Sequence, residues 1–278
     1  MSALRQTWTV QCLSGQLHAL GIHPGDRLFV HTGLRALRLP RRDVPNLLAA
    51  YLHVLGPTGA LFFPTHTYSY KGEKGSPIFD QDAPCHPLIG VWPELARIAP
   101  GVIRSLHPTH AIAGVGAGVR KILAGHEGTE AAGFGSPLGK LQQVGAKVLM
   151  AGCGFESCTL LHLAETYAQV PHLRLPQDDV IPIALARRGR RIIEIPQHEM
   201  PGCSDGFPKF EPRLRALGLI RDGALGEGHA MLCEMKTLLD AAISMLKENP
   251  LGFLCDDKCA TCDAARREAV RFVNASTT

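Results

Sequence analysis

A histidine and a carboxylate interrupt an apolar run in TLLHLAET, residues 159–166. His162 and Glu165 stand there among Leu160, Leu161, Leu163 and Ala164. On a helix this spacing puts both side chains on one face, about one turn apart. An imidazole steadied by a carboxylate has the parts of a general base. The same pair on an exposed face is an ordinary solubilising contact. The neighbouring leucines argue for a buried helix, and spacing alone leaves both readings open.

Other residues with chemical capacity recur at the ends of short apolar runs. They are His31-Thr32-Gly33, Pro64-Thr65-His66, Gly114 to Gly118 and Gly152-Cys153-Gly154. In open α/β sheets ligands collect at the carboxyl ends of strands, so these positions outline a crevice. GVGAG at 114–118 lacks the spacing of a dinucleotide fingerprint, because Val119 stands where the third glycine belongs; it reads as a tight turn. RSLHPTH, residues 104–110, sets two histidines and an arginine around a proline. It is either a rigid loop with exposed histidines or a pre-shaped wall of the site. Cys153 and Cys158 lie near His162, which keeps a Cys–His acyl-enzyme open, although no G-x-S-x-G elbow is present. Near the end, Cys255, Cys259 and Cys262 form C-x3-C-x2-C. A structural zinc, with Cys203, His198 or another residue as fourth ligand, is the metal reading; free thiols are the other.

The elements that must position these residues alternate. Helices are expected over 9–22, 44–56, 93–99, 118–126, 137–145 and 159–168. Buried strands are expected over 26–33, 59–67, 110–116 and 146–153. That alternation implies a central sheet, largely parallel or mixed, flanked by helices. After about residue 175 the pattern changes. Residues 178–198 read as a β-hairpin turning at Arg188-Gly189-Arg190, followed by helices over 209–218 and 230–249, the latter ended by Pro250. The division expected is an α/β core at 1–175 and an α+β part at 176–278, packed on the same sheet and ending in the cysteine-rich tail. Residues 68–87 form a long polar loop of the kind that is usually functional.

The bulk numbers exclude more than they identify. The chain has 278 residues, 45% apolar and 19% charged, enough to bury a full core. A net charge of +4 with scattered basic residues does not indicate nucleic acid. No run is long and apolar enough for a bilayer, and the N-terminus carries no targeting pattern. Nine cysteines without a regular framework then point to reduced thiols in the cytoplasm.

In order, VHTGLRAL (30–37), GPTGALFFPTHTYS (56–69), SPIFD (76–80), GVWPELARIAPGVIRSLHPTHAIAGVG (90–116), GSPLGKL (135–141), TLLHLAE (159–165) and CSDGFPKFEPRL (203–214) resemble the aminoglycoside 3-N-acetyltransferases, the antibiotic N-acetyltransferase family. The resemblance covers about residues 10–250. It implies an antibiotic-acetyltransferase-like α/β fold, distinct from the commoner N-acetyltransferase fold. It also implies acetyl-CoA as donor, a primary amine as acceptor and direct transfer without an acyl-enzyme. His162 matches the family's catalytic histidine. Glu211 matches a glutamate expected to face it, and Glu165 competes for that role. His31, Thr32, Gly33, Leu34, Arg104, Ser105, His107, Thr109 and His110 match regions that border CoA. Tyr68, Asp80, Glu156 and Thr159 are the acceptor-side candidates. The departures are Thr32, Gly33 and Ala111 where hydroxyl residues are common, and Glu156 and Cys158 where Asp and Asn are common. The acceptor is accordingly an aminoglycoside or a less charged amine, in a resistance or a biosynthetic role. A non-catalytic CoA-binding protein and a Cys–His thioester hydrolase are the readings from other classes. A homodimer is left open.

Overall fold

The computed structural model describes residues 7–67, 78–174, 183–196, 202–256 and 259–276. In chain order the elements are α1 (Val10–Ala19), β1 (Arg27–Thr32), α2 (Val44–Leu55), β2 (Ala60–Pro64), α3 (Val91–Arg97), β3 (Ile103–Arg104), β4 (Ile112–Gly116), α4 (Val119–Leu123), α5 (Pro137–Gln143), β5 (Lys147–Ala151), α6 (Leu160–Ala168), β6 (Ile183–Arg188), β7 (Arg191–Pro196), α7 (Glu211–Ala216), β8 (Arg221–Leu225), β9 (Gly228–Glu234), α8 (Met235–Glu248) and α9 (Ala260–Ser276).

Seven strands form one mixed sheet in the order β3-β4-β2-β1-β5-β9-β8. Only its centre is parallel: β1 pairs in parallel with β2 and with β5. Strands β4, β3, β9 and β8 join antiparallel on the two sides. The expected helix over 230–249 is corrected here. Residues Gly228–Glu234 are strand β9, and the helix begins at Met235. Ala230 to Glu234 are residues a helix accepts readily. Their place beside β5, with Val148 opposite Cys233 and Met150 opposite Met231, decides for the strand.

At the centre of the sheet both faces are buried, as the near-continuous apolar strands β1, β2 and β5 require. The two-residue period sorts the side chains. Leu28, Val30, Leu61, Phe63 and Leu149 belong to the core shared with α1, α2 and α3. Phe29, Phe62, Val148 and Met150 belong to the core shared with α5, α6 and α8. His31 shares the Phe29 face, and the two rings meet at 5.1 Å. Helix α6 packs on α8, so the chain after the hairpin backs the helix that carries His162. Strands β6 and β7 form a separate antiparallel pair whose turn holds Gly189 at φ +60°, as expected from the Arg-Gly-Arg sequence.

Candidate active site

The carboxyl ends of β1 and β5 draw unusually close. Gly33 donates its N–H to the Ala151 carbonyl at 2.8 Å. A Cβ at Gly33 would lie 2.1 Å from the Gly152 carbonyl oxygen, so only glycine fits. This junction floors a cleft of about 390 Å³, of the size that takes a small-molecule portion. Strand ends supply His31, Thr32, Pro64 and His66. The segment before α3 supplies Leu88, Ile89 and Gly90, and α3 supplies Pro93. The approach to α6 supplies Cys153, Glu156, Ser157 and Thr159, and Ser204 comes from the C-terminal part.

His162 lines this cleft from the first turn of α6. Its Nδ1 lies 2.8 Å from Glu165 Oε2. Glu165 is only 2% exposed, which removes the reading of a solubilising surface pair. A carboxylate only accepts, so Nδ1 donates and carries the proton. Nε2 is then the basic nitrogen of the ring. The buried Phe207 ring packs edge-on against the imidazole at 4.8 Å and fixes its plane. Glu211, expected to face His162, lies elsewhere. It opens α7, and Arg215 one turn on holds its carboxylate at 2.7 Å. Glu211 is not among the residues that line the cleft.

The RSLHPTH loop supports the site more than it lines it. Arg104 is buried and donates to the carbonyls of Thr65, Gln81 and Ala83, with Phe79 under its guanidinium at 5.3 Å. Burial lowers its pKa to about 10, still well above neutrality. It borders a second cavity of about 700 Å³ and not the His162 cleft. The Ser105 hydroxyl pairs with buried His126 Nδ1 at 2.8 Å and receives the Ile112 N–H. His107 Nδ1 accepts the N–H groups of Thr109 and His110. Thr109 is wholly buried, with its hydroxyl 2.8 Å from His110 Nδ1. Of the seven residues only His110 reaches the cleft, where its ring meets that of His66 at 4.6 Å, tilted by 57°. Leu34 packs into the core beside α2. Asp80 pairs with Arg187 on the hairpin, away from the cleft. Tyr68 lies outside the described residues.

Burial controls the protonation of the wall. His31 is lowered to about 3 and His66 well below its ordinary value, both chiefly by desolvation. They remain neutral imidazoles at any physiological pH. Cys153 is pushed up to about 12 by burial and then by the Glu156 charge. Cys158 is raised still further by burial. Neither supplies appreciable thiolate at neutral pH, which counts against a cysteine nucleophile. The residues that sequence reasoning missed are the 88–93 segment and Ser204. No local pattern announces them, since they enter only because distant segments fold over the strand ends.

The four C-terminal-side cysteines do meet. Cys203, Cys255, Cys259 and Cys262 hold their sulfurs within 4.8 Å of one another.

A mixed sheet with a histidine–carboxylate pair on the helix beside its central strand ends is an α/β fold with a side-chain-lined cleft. The family model described as aminoglycoside 3-N-acetyltransferase matches residues 29–247. The aminoglycoside N(3)-acetyltransferase IV of Salmonella sp is 29% identical over 257 residues, 90% of this chain and 92% of that protein. The crystal structure of aminoglycoside acetyltransferase AAC(3)-IVa, also solved in complex with a gentamicin, superposes with a TM-score of 0.83 at 28% identity, over 96% of this chain and 100% of that one. AAC-IIIb, solved as a binary complex with CoASH, gives 0.77 at 25% identity, over 87% and 97%. The chain belongs to the aminoglycoside 3-N-acetyltransferase family, a family of acyltransferases. Among the described residues no helix is long and apolar enough to cross a membrane.

Proposed function

We propose that this protein transfers the acetyl group of acetyl-CoA directly to a primary amine of an aminoglycoside, with His162 as general base and Glu165 as its positioning partner. His162 on the cleft wall, paired with buried Glu165, is the observation that carries this reading. An acceptor ammonium loses a proton to solvent before it can attack. As the amine nitrogen bonds to the thioester carbonyl carbon, its second proton passes to Nε2 of His162. The tetrahedral intermediate collapses, the carbon–sulfur bond breaks, and the imidazolium returns the proton to the departing thiolate. Glu165 stabilises the imidazolium through Nδ1–H. General-base help of this kind contributes ~10²–10⁴ in rate.

The oxyanion that develops on the thioester carbonyl needs a hydrogen-bond donor. The Gly33 N–H already serves the Ala151 carbonyl, which leaves the Thr159 and Thr32 hydroxyls at the cleft wall as donors. Glu156 is the only carboxylate lining the cleft among the described residues, and it meets the acceptor ammonium groups. That sparse negative charge favours, as a second reading, an amine carrying fewer charges than an aminoglycoside. Nine cysteines with no disulfide between them accord with a reducing, cytoplasmic setting. The four clustered sulfurs form the donor set of a closed structural zinc site.

The test is release of CoA thiol from acetyl-CoA across a panel of aminoglycosides and simpler amines, native protein against His162→Ala. Native turnover with at least one amine, and a loss of ~10²-fold or more in the variant, are expected. Equal turnover by both proteins removes His162 from the reaction. CoA release that needs no amine replaces transfer with hydrolysis.

A further inference from the structure

The cysteine cluster lies next to the cleft in sequence and in space. Cys203 is followed at once by Ser204, a cleft residue, and four residues on by Phe207, the ring against which His162 rests. The other three sulfurs come from the segment between α8 and α9 and the start of α9. Two chain segments some fifty residues apart therefore converge on one point behind the site.

Their contact is backbone-close. A Cβ at Gly206 would lie 2.2 Å from the Phe253 carbonyl oxygen and 2.7 Å from the Cys255 nitrogen. Phe253 packs on Phe207 at 5.3 Å and on Phe210 at 5.6 Å. Lys209 donates to the Leu254 carbonyl at 2.7 Å and pairs with Asp256 at 2.6 Å. Cys255 and Cys262 are buried, and Cys203 and Cys259 half-buried. A thiol is a weak donor and a weak acceptor, so four sulfurs at this density gain far more from a shared cation than from one another. Around a tetrahedral zinc, arms of about 2.3 Å separate sulfurs by roughly 3.8 Å, which the cluster reaches with small side-chain adjustment.

We propose that a zinc ion held by Cys203, Cys255, Cys259 and Cys262 is a clasp for the acetyl-transfer cleft, fixing the 203–207 segment so that Ser204 forms its wall and Phe207 seats the His162 ring. This deepens the zinc and transfer readings above and rests on both. All four positions of the ion are filled by sulfur, so it takes no part in the chemistry. Its effect reaches the reaction through geometry: an imidazole whose plane is set by Phe207 moves when the segment carrying Phe207 moves. Misplacement of about 1 Å at a reacting group is enough to lower turnover by ~10²-fold.

The experiment uses the full chain purified under reducing conditions without chelator. Metal analysis is expected to find about one zinc per chain, lost in Cys259→Ser. Hydrogen exchange is then followed before and after chelation of the native protein, and again after zinc is restored. Loss of protection is expected over 202–211 and 250–262, while β1 and β5 keep theirs. kcat/KM is expected to fall by about 10- to 100-fold and to recover with zinc. Absence of zinc from the reduced native protein overturns the metal site. Zinc that can be removed without change in the exchange of 202–211 overturns the clasp. The exchange readout needs no turnover, so it decides the clasp whether or not the acetyl-transfer reading stands. If Cys259→Ser does not fold, the chelation and restoration of the native chain decide alone.

Discussion

Replacing Glu165 by glutamine changes one oxygen into an amide nitrogen at a buried contact. The native carboxylate accepts from Nδ1 at 2.8 Å and leaves the lone pair on Nε2. Where the glutamine turns its NH2 to Nδ1, it donates there and drives the proton to Nε2, the nitrogen that should be basic. The variant also removes a negative charge with 3% side-chain exposure from beside the imidazolium that forms during transfer. A hydrogen bond to a charged group is worth about 1.5–3 kcal/mol, or roughly 10- to 150-fold in rate. The tautomer change adds to this, so kcat/KM should fall by ~10²–10⁴ at pH 7. KM for acetyl-CoA should move little, since the carboxylate lies behind the ring. The assay is CoA thiol release under saturating and limiting amine, with circular dichroism to show an intact fold. Glu211→Gln is the companion, because Arg215 holds that carboxylate. It should change kcat/KM by less than about threefold, within what an exposed pair contributes. A folded Glu165→Gln protein with native kcat/KM would falsify the tautomer argument, and a large loss in Glu211→Gln alone would return the partner role to that residue.

Three further outcomes follow from the same geometry. His31, His66 and His126 have folded pKa values depressed by burial, so the unfolded chain takes up protons that the native one refuses. Their contribution is complete above about pH 6.5 and is lost as pH falls, at up to about 4 kcal/mol per pH unit for the three; urea midpoints should drop steeply between pH 7 and pH 5, and a flat profile contradicts the buried-neutral state. Arg104→Lys should lower the melting temperature by several degrees, since an ammonium has three donors in a compact tetrahedron and the planar guanidinium serves three carbonyls, the Thr65 hydroxyl and Phe79; unchanged melting would show the guanidinium to be dispensable. Cys153→Ala should keep CoA release within about threefold of native, as a thiol near 12 is no nucleophile, whereas abolition would restore the acyl-enzyme route.

Much of this molecule was legible before folding. Near-continuous apolar runs mark β1, β2 and β5, because a strand buried on both faces has little choice of residue. The i, i+3 spacing joins His162 to Glu165, since a helix fixes that distance locally. The C-x3-C-x2-C run marks a metal-capable tail, and the motif order marks the family. What sequence could not decide is direction and neighbourhood. Residues 230–234 suit a helix as well as a strand, and only pairing with β5 chooses. Arg104, Ser105 and His107 carry the right chemistry for a ligand, yet they spend it on Thr65, His126 and Thr109, because a buried polar group must be satisfied by whatever the fold brings to it. Glu211 follows its own helix to Arg215. Ser204, and the meeting of Cys203 with the tail, exist only where chain segments far apart in sequence close over the same strand ends.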